Sequence, residues 1–238
     1  MSTSYFILSK RKDGHIADNS ENQFFIIEPR NNYFLPRCNL DYYTKNGLFE
    51  HTLIEWCKQF CSKDKYFIDI GAHTGTYTNS LSSYSKHVYA FEPQKMTFYA
   101  LCGGVSLSGH QNITCIQKGL GSPNQIGPQT LKIVSNDGGG SSLHANTGIL
   151  CEEMIDIQTL DSYHLSDIGF IKMDVEDNEL YVLEGGKETI KRCKPVILFE
   201  SNKDNPTLFH YVRNEFNYTI HTIHEYMNMF LATYNGSI

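Results

Sequence analysis

Apolar runs of strand length alternate with amphipathic stretches of helical period along most of this chain. Runs with strand character lie at 66–69, 87–92, 113–116, 130–134, 153–160, 170–176 and 195–200. Helices are predicted between them at 77–85, 95–107, 177–191 and 205–216. Because strands and helices alternate, the pattern predicts an α/β fold with a doubly wound, mostly parallel seven-stranded sheet. Residues 217–234 alternate in the manner of an antiparallel pair and are expected to close one edge of that sheet.

The first 46 residues differ from this pattern, and we expect an accessory segment at 1–46 in front of a main domain at 47–238. Two β-prone runs, 5–8 and 24–27, flank a polar stretch with turn residues, which predicts a β-hairpin. The aromatic residues that follow are Tyr33, Phe34, Tyr42 and Tyr43. They are expected either to cover the core, which is the commoner arrangement, or to line a pocket.

A helix with one buried stripe is predicted directly ahead of the first central strand. Four apolar residues recur there at i, i+4, i+7 and i+11: Phe49, Leu53, Trp56 and Phe60. That spacing places all four on one helical face, which is expected to pack on the sheet.

The end of the first central strand predicts a ligand-binding loop. The strand at 66–69 leads into Gly71 and Gly75, which let the backbone turn sharply and approach a ligand. The dinucleotide-binding fingerprint needs a further glycine at the position of His73. Asp69 beside the turn would repel phosphate, whereas it can accept hydrogen bonds from an ammonium group. The loop therefore favours S-adenosylmethionine, which carries an amine and a sulfonium cation and no phosphate.

Acids and turn glycines stand at the ends of several predicted strands. The second strand ends in Glu92, 23 residues after Asp69, where nucleoside-binding α/β folds place the acid that holds the ribose hydroxyls. The other strand-end residues are Gly71, Gly119, Asp174 with Glu176, and Glu200. Ligands of such sheets bind beyond the carboxyl ends of the strands, where the strand order reverses. One such acid is usually a cap or an ion-pair partner, but the convergence of five strand ends predicts a polar ligand.

A glycine-rich stretch interrupts the alternation of strands and helices. Residues 136–143 contain three consecutive glycines, at 138–140. This composition predicts a mobile loop, and loops on a rigid α/β scaffold often hold substrates. A solvated hairpin end is an equally good interpretation.

Composition and charge exclude several classes of protein. The 238 residues carry a formal net charge of −6 and basic runs only at 10–12 and 191–194, so a broad nucleic-acid surface is not expected. No segment is apolar enough for a signal peptide or a membrane span. The seven cysteines show no metal-binding spacing and are expected to be reduced thiols. These features together predict a cytoplasmic protein, and they leave its oligomeric state open.

Five groups of residues follow one another in a characteristic order. They are the loop from Asp69 to Thr76, Phe91-Glu92-Pro93, Thr159-Leu160-Asp161, the segment from Ile171 to Glu176 with Glu179, Val182, Leu183 and Gly185, and Lys194-Pro195 ahead of Glu200. This series resembles the FkbM family of S-adenosylmethionine-dependent methyltransferases over about residues 47–205. The resemblance implies a Rossmann-like class I methyltransferase fold. It also implies O-methylation, because family members mostly act on sugars, lipids or natural products.

One position departs from the family pattern. Where the family has Asp-x-Glu-Gly, this chain has Asp177 after Glu176. The added carboxylate is expected to narrow or recharge the acceptor site, so the substrate preferences of the family carry over only weakly.

The resemblance implies roles for residues around the predicted rim. S-adenosylmethionine would contact Asp69 and, through its methionine moiety, the loop of Gly71, Ala72, His73, Thr74, Gly75 and Thr76. Glu92 would hold the ribose. The adenine would be flanked by Pro93, Gln94, Gly119 and Leu120. Asp174 would lie where the methyl donor and the acceptor meet.

A sugar or glycan hydroxyl, the expected acceptor, is a poor nucleophile while protonated, so its methylation needs a base or a cation. The candidate catalytic carboxylates are Asp174, Glu176 and Glu200. A base without a metal, Asp174 or Glu176, is the preferred interpretation. Alternatively, oxygen atoms of Asp174, Glu200 and Asn202 would bind Mg²⁺, which favours such ligands. His73 is a further candidate base, although its place in the loop favours an orientation towards the cofactor or towards a neighbouring protein group.

Three other functions share parts of the pattern. A nicotinamide-dependent sugar oxidoreductase or epimerase would use the same sheet, but the glycine pattern it needs is missing. A catalytically silent methyltransferase-like binding module is compatible with Asp177. A cap-type RNA ribose methyltransferase would need a lysine at the active centre and a basic channel, and the nearby lysines are Lys172 and Lys203.

Overall fold

The structure, a computed structural model, describes residues 22–28, 31–201 and 205–235. Its strands and α-helices are, in chain order, β1 (Asn22–Glu28), β2 (Asn31–Pro36), α1 (Leu40–Asn46), α2 (His51–Cys57), β3 (Tyr66–Ile70), α3 (Thr76–Ser82), β4 (His87–Phe91), α4 (Lys95–Ser108), β5 (Ile113–Ile116), β6 (Gly119–Leu120), β7 (Gly127–Ile133), β8 (Cys151–Gln158), β9 (Ile168–Met173), α5 (Glu179–Gly185), α6 (Lys187–Cys193), β10 (Val196–Glu200), α7 (Pro206–Phe216), β11 (Tyr218–Ile223) and β12 (Tyr226–Tyr234).

A seven-stranded sheet forms the centre of the molecule, in the order β11-β12-β10-β9-β3-β4-β5. The strands β5, β4, β3, β9 and β10 are parallel, and β12 is antiparallel to both of its neighbours. The predicted fold class is therefore confirmed, including the antiparallel edge. The strand order reverses between β3 and β9, because successive strands after β3 add on one side and those after β9 on the other.

Both faces of the central sheet are buried, as its nearly continuous apolar strands require. On one face, Ile68, Met173 and Phe199 belong to a cluster that also contains apolar residues of α5, α6 and α7. On the other face, Phe67 and Phe170 stack with ring centroids 5.2 Å apart and contact apolar residues of α2 and α3. Neighbouring residues along a strand thus pack against different helical layers, which fixes the direction in which each strand end points.

The buried stripe that was predicted for the helix ahead of β3 is wrong, because a different face of the helix is buried. Of its four residues only Leu53 is buried, whereas Phe49 and Trp56 are each 39% exposed. The buried residues of α2 are Leu53, Ile54 and Cys57. The reason is that the helix does not run on from residue 46: Glu50 adopts a left-handed conformation (φ 56°) and α2 starts anew at His51.

The N-terminal elements pack on the helices of the main sheet. Strand β1 pairs antiparallel with β2, so the predicted run 24–27 is a strand whose partner is 31–36, while the run 5–8 lies outside the described residues. The Tyr33 hydroxyl hydrogen-bonds Ser80 Oγ at 2.7 Å, and the Asn32 amide donates to Ser108 Oγ at 2.7 Å. The division at residue 46 stays a prediction.

A smaller sheet carries the glycine-rich stretch. Its order is β6-β8-β7, so the predicted strands at 130–134 and 153–160 pair with each other here and not in the central sheet. The connection between β7 and β8 contains residues 136–143. None of the helices in the described ranges is long and apolar enough to cross a membrane.

Candidate active site

A cavity of about 280 Å³ lies at the carboxyl ends of β3, β4 and β9, where the strand order reverses. This is the position at which doubly wound sheets bind their ligands. Most residues that were predicted to hold the methyl donor line it: Gly71, Ala72, His73, Thr74, Thr76, Glu92, Pro93, Gln94, Gly119 and Leu120. The other two lie behind the wall, Asp69 fully buried and Gly75 at the start of α3. The individual roles of these residues stay predictions.

The loop after β3 requires glycine at position 71 for a steric reason. Gly71 has φ 72°, and a Cβ there would lie 1.8 Å from the Asp174 carbonyl oxygen. The loop after β3 therefore crosses the end of β9 at backbone contact distance. His73 is also left-handed, with φ 50°. Its Nε2 lies 2.6 Å from the Asp137 carbonyl oxygen, to which it must donate, since a carbonyl only accepts. Nε2 is thus engaged by a backbone partner, and the role of His73 stays a prediction.

Glu92 is a buried carboxylate with an incomplete set of hydrogen bonds. It accepts hydrogen bonds from the His73 amide at 2.8 Å, the Gln94 amide at 2.9 Å and the Thr97 hydroxyl at 3.0 Å. Burial raises the pKa of this carboxyl, although His73 and these donors oppose the rise. A carboxylate has about four acceptor positions, so one remains for a hydroxyl group of a ligand in the cavity.

Lys172 lines the cavity, although the motifs gave it no role. Its side chain is buried, and its Nζ donates to the Gly71 carbonyl oxygen at 2.9 Å and to Asp174 Oδ2 at 3.3 Å. Asp69 Oδ1 lies 3.9 Å away. Burial alone would lower the pKa of this amine, but Asp174, Asp69 and Glu50 raise it above its usual range. Lys172 is therefore an ammonium ion that joins the loop after β3 to the end of β9.

Three carboxylates at the ends of β9 and β10 form a cluster. Asp174, Glu176 and Glu200 each place an oxygen within 4.8 Å of the others. Asp174 and Glu176 line the cavity, and Glu200 is hydrogen-bonded to Asp174 behind them. The structure thus brings together the three predicted catalytic residues, whose roles stay predictions.

The carboxylates of the cluster titrate differently. Burial and the neighbouring Asp174 raise the pKa of Glu200 to about 9. Burial also opposes ionisation of Asp174, but Lys172 and the hydrogen bond from Glu200 hold its pKa below the usual range. At neutral pH the pair therefore shares one proton, which resides on Glu200 and leaves Asp174 ionised.

The position that departs from the family motif is strained. Glu176 and Asp177 have φ values of 52° and 72°, the left-handed region in which glycine is favoured. The side chain of Asp177 is exposed and is not part of the cavity wall, so the expected narrowing of the site is wrong. Its charge does act on the site, since it is one of the charges that raise the pKa of Glu176.

The glycine-rich stretch covers the cavity. Residues 138–141 line it, and the Gly140 amide donates to Glu176 Oε1 at 3.0 Å. Asn39 Nδ2 donates to Asp137 Oδ2 at 2.7 Å, which ties the same stretch to the residue ahead of α1. The stretch is therefore part of the candidate site and is not a solvated hairpin end.

The residues predicted to bind a metal are only partly described. Asp174 and Glu200 lie together, whereas Asn202 lies outside the described residues. Within the described ranges, spacing suited to a metal ion occurs at Asp174, Glu176 and Glu200. An all-carboxylate set of this kind matches the hard oxygen ligands that Mg²⁺ prefers.

The parallel sheet, the cavity at its reversal point and the glycine-lined loop define a class I methyltransferase fold. A sequence model of the Methyltransferase FkbM domain matches residues 69–231, more than half of the chain. The chain therefore belongs to the FkbM methyltransferase family, as its motifs predicted. Among curated proteins, none matches the chain.

Solved structures with related folds include three methyltransferases. Methyltransferase FkbM from Methylobacillus flagellatus KT is 21% identical with a TM-score of 0.53, over 73% of this chain and 44% of that one. An rRNA methylase from Streptococcus thermophilus is 16% identical with a TM-score of 0.49, over 76% of this chain and 92% of the other. A Streptococcus mutans protein assigned as a methyltransferase, in complex with SAH, is 14% identical with a TM-score of 0.48, over 76% and 93%. This chain thus spans less than half the length of the first of these proteins.

Proposed function

We propose that this protein is an S-adenosylmethionine-dependent O-methyltransferase that acts on a hydroxyl group of a sugar, a glycan or a related small molecule. The observation that carries the proposal is an ionised carboxylate, Asp174, in the cavity wall beside the loop after β3. Lys172 joins that carboxylate to the Gly71 carbonyl oxygen, so the candidate base and the candidate donor loop are held by one ammonium ion.

The residues present fit the proposed cofactor. Gly71 and the residues after it line the cavity, and Glu92 keeps an acceptor position for a ribose hydroxyl. Bound S-adenosylmethionine would supply an electrophilic methyl group on a sulfonium ion.

The protein's own contribution is to orient the acceptor and to accept its proton. Asp174 Oδ atoms are acceptors within reach of the cavity, and the low pKa of Asp174 keeps them ionised at neutral pH. Residues 138–141 line the same cavity and add the Gly140 amide, which donates to Glu176. Holding two reactants in register in this way can supply about 7–11 kcal/mol of the barrier reduction.

A divalent cation at the cluster is the second candidate for activating the acceptor. Asp174, Glu176 and Glu200 have the spacing for it, and a cation would replace the proton that Asp174 and Glu200 share. Such an ion lowers the pKa of a bound hydroxyl. The two candidates, Asp174 as a base and a bound divalent cation, differ in whether activity requires an ion that a chelator removes.

An RNA substrate is disfavoured by the charges around the cavity. Among the described residues, the cations in its wall are Lys118 and Lys172, and both already contact carboxylates. The wall also contains Glu50, Asp137 and Asp174. An acidic surface of this kind repels a phosphate backbone.

The proposal is tested by donor binding and by methyl transfer. Calorimetry with S-adenosylhomocysteine and with NADH separates a methyltransferase from a nicotinamide enzyme, and we expect only the former to bind. Transfer from isotope-labelled S-adenosylmethionine to a panel of methyl glycosides is then measured with and without EDTA. Activity that survives EDTA supports Asp174 as the base, whereas activity restored by Mg²⁺ supports the metal.

Two variants test the proposed roles of Asp174 in catalysis and of Glu92 in cofactor binding. We expect Asp174→Asn to lower turnover about 100-fold or more with S-adenosylhomocysteine still bound, and Glu92→Gln to weaken binding of that ligand by about 10-fold. Glu215→Gln, in a surface ion pair with Lys187, is the matched control and should behave as wild type. NADH binding in place of S-adenosylhomocysteine, or full activity of Asp174→Asn, would refute the proposal.

A further inference from the structure

A carboxylate outside the matched family region lies in the cavity wall. Glu50 precedes α2, whereas the family model matches residues 69–231. The Tyr77 hydroxyl donates to Glu50 Oε2 at 2.7 Å. Within the described residues no hydrogen bond engages Oε1, which is not sealed from solvent. Glu50 therefore has an acceptor atom to offer to a molecule in the cavity.

The backbone at Glu50 is strained, and the strained conformation positions its side chain in the cavity wall. Its φ of 56° and ψ of 23° are left-handed, a conformation that costs a residue with a Cβ about 1–2 kcal/mol. Residues held in such conformations cluster at ligand-binding sites. Here the left-handed conformation of Glu50 allows its side chain to line the cavity, while Leu53 and Ile54 in the first turn of α2 are buried in the core.

An aromatic wall stands next to Glu50. The Phe49 ring stacks on Tyr42, with centroids 4.0 Å apart and an angle of 20° between the planes. The rings of Phe49 and Tyr43 also meet edge to face, with centroids 5.1 Å apart. Phe49 and Tyr43 both line the cavity, and yet Phe49 remains 39% exposed. An apolar ring face beside carboxylates suits a pyranose, which has an apolar C–H face and a rim of hydroxyl donors.

Asp174 is a second carboxylate in the cavity wall, besides Glu50. Both Glu50 and Asp174 interact with the ammonium group of Lys172, whose Nζ lies 5.4 Å from the centre of the Tyr77 ring. Two carboxylates near one cation give two hydroxyl groups of the same acceptor a partner each. An acceptor with a single hydroxyl would leave one of them without a partner.

We propose that Phe49 and Glu50 form a specificity-determining subsite for a polyhydroxylated ring, in which the C–H face packs on Phe49 and a hydroxyl beside the methylated one donates to Glu50. This inference rests on the proposed function and names the substrate class of the same site. The subsite requires at least two neighbouring hydroxyl groups in the acceptor.

Binding to the full chain saturated with S-adenosylhomocysteine tests the inference. The probes are methyl α-D-mannopyranoside and methyl α-L-rhamnopyranoside, with cyclohexanol as a ring that has one hydroxyl. The variants are Glu50→Gln and Phe49→Leu. Their controls are Glu55→Gln, an exposed acid paired with Lys58, and Trp56→Leu, which removes an aromatic ring that is also 39% exposed but lies outside this cavity.

We expect the glycosides to bind and cyclohexanol not to bind. Glu50→Gln should weaken glycoside binding about 10- to 100-fold, the range for a hydrogen bond to a charged group, and Phe49→Leu about 2- to 10-fold. Affinity for S-adenosylhomocysteine should stay within about twofold of wild type in every variant, which a merely structural role of Glu50 would not allow. The two controls should match wild type throughout.

Three results would overturn the inference: unchanged glycoside affinity in Glu50→Gln, an equal loss of S-adenosylhomocysteine binding, or no binding of either glycoside to the wild type. Failure of the proposed function is a separate result. In that case the glycosides would bind and their binding would depend on Glu50, but they would accept no labelled methyl group.

Discussion

Replacing Lys172 with methionine removes the one ammonium ion that the described structure places among Asp69, Asp174 and Glu50. Methionine nearly matches the lysine stem in length, so the change removes charge and hydrogen bonds more than volume. The Lys172 side chain is 5% exposed, and that of Asp69 is 0% exposed. Since breaking a buried ion pair leaves an uncompensated charge, the free energy of unfolding should fall by about 3–5 kcal/mol.

The geometry supports a loss of that size. Nζ lies 3.3 Å from Asp174 Oδ2 and 3.9 Å from Asp69 Oδ1. At an effective dielectric constant of about 20, each of these attractions amounts to roughly 4–5 kcal/mol before the desolvation of lysine is subtracted. The hydrogen bond to the Gly71 carbonyl oxygen, 2.9 Å long, is lost as well. For a chain of this length, the expected loss lowers Tm by about 6–20 °C.

Urea denaturation measures the free energy of unfolding, and a second substitution tests the cause. Asp69→Asn in the Lys172→Met background removes the most buried of the uncompensated charges, and Thr78 can still donate to the amide oxygen. The double variant should therefore be more stable than Lys172→Met alone. Lys191→Met, at an exposed ion pair with Glu215, is the control and should cost less than about 1 kcal/mol. A Lys172→Met protein as stable as that control would refute the reasoning.

Three further predictions follow from the same geometry. Asp177→Gly relieves a left-handed residue and should raise the free energy of unfolding by about 0.5–1 kcal/mol in urea denaturation, with unchanged affinity for S-adenosylhomocysteine; a loss of stability would contradict this. Gly71→Ala would place a Cβ 1.8 Å from the Asp174 carbonyl oxygen, so calorimetry should find no S-adenosylhomocysteine binding, whereas Gly109→Ala, with open space around its Cβ, should bind normally. Because the pKa of Glu200 is raised to about 9 in the folded protein, its contribution is present below the pKa of the unfolded chain and is lost as pH rises towards 9. Wild-type stability should thus fall more steeply than that of Glu200→Gln between pH 6 and 9, and parallel pH profiles would contradict the assignment.

The residues of the proposed donor site could be found from the sequence because they stand close to strand ends along the chain. Gly71, His73 and Glu92 stand within a few residues of their strand ends, and parallel strands bring those ends to one edge. Sequence spacing therefore determines most of the cavity lining at the proposed donor site. The reason for Gly71 was visible only in the structure, because it is the carbonyl of Asp174, more than a hundred residues away, that a side chain would strike.

Lys172 and Glu50 could not be assigned from the sequence. A lysine within the apolar run of β9 was an available signal, since a charge in a strand buried on both faces needs partners. One partner, Asp174, stands two residues further along the chain, but the others come from β3 and from the segment ahead of α2, so their identity depends on tertiary structure. Glu50 gave no signal, because the predicted helix ran through it and placed Phe49 in the core. The break between the two helices does contain a glycine, Gly47, which ends α1 with φ 81°, but the left-handed residue that starts α2 is Glu50 itself.

The two sides of the cavity differ in how they are built, and this explains why family membership leaves the acceptor open. The donor side consists of strand ends of the central sheet, which a family pattern describes. The acceptor side adds the segment from Asn39 to Glu50 and the stretch at 137–141, neither of which belongs to that sheet. Asp137 contacts both sides, because its carboxylate accepts from Asn39 and its carbonyl oxygen accepts from His73 of the loop after β3. A family pattern of strand ends therefore does not define the residues that these two segments add to the cavity, which is where the acceptor is proposed to bind.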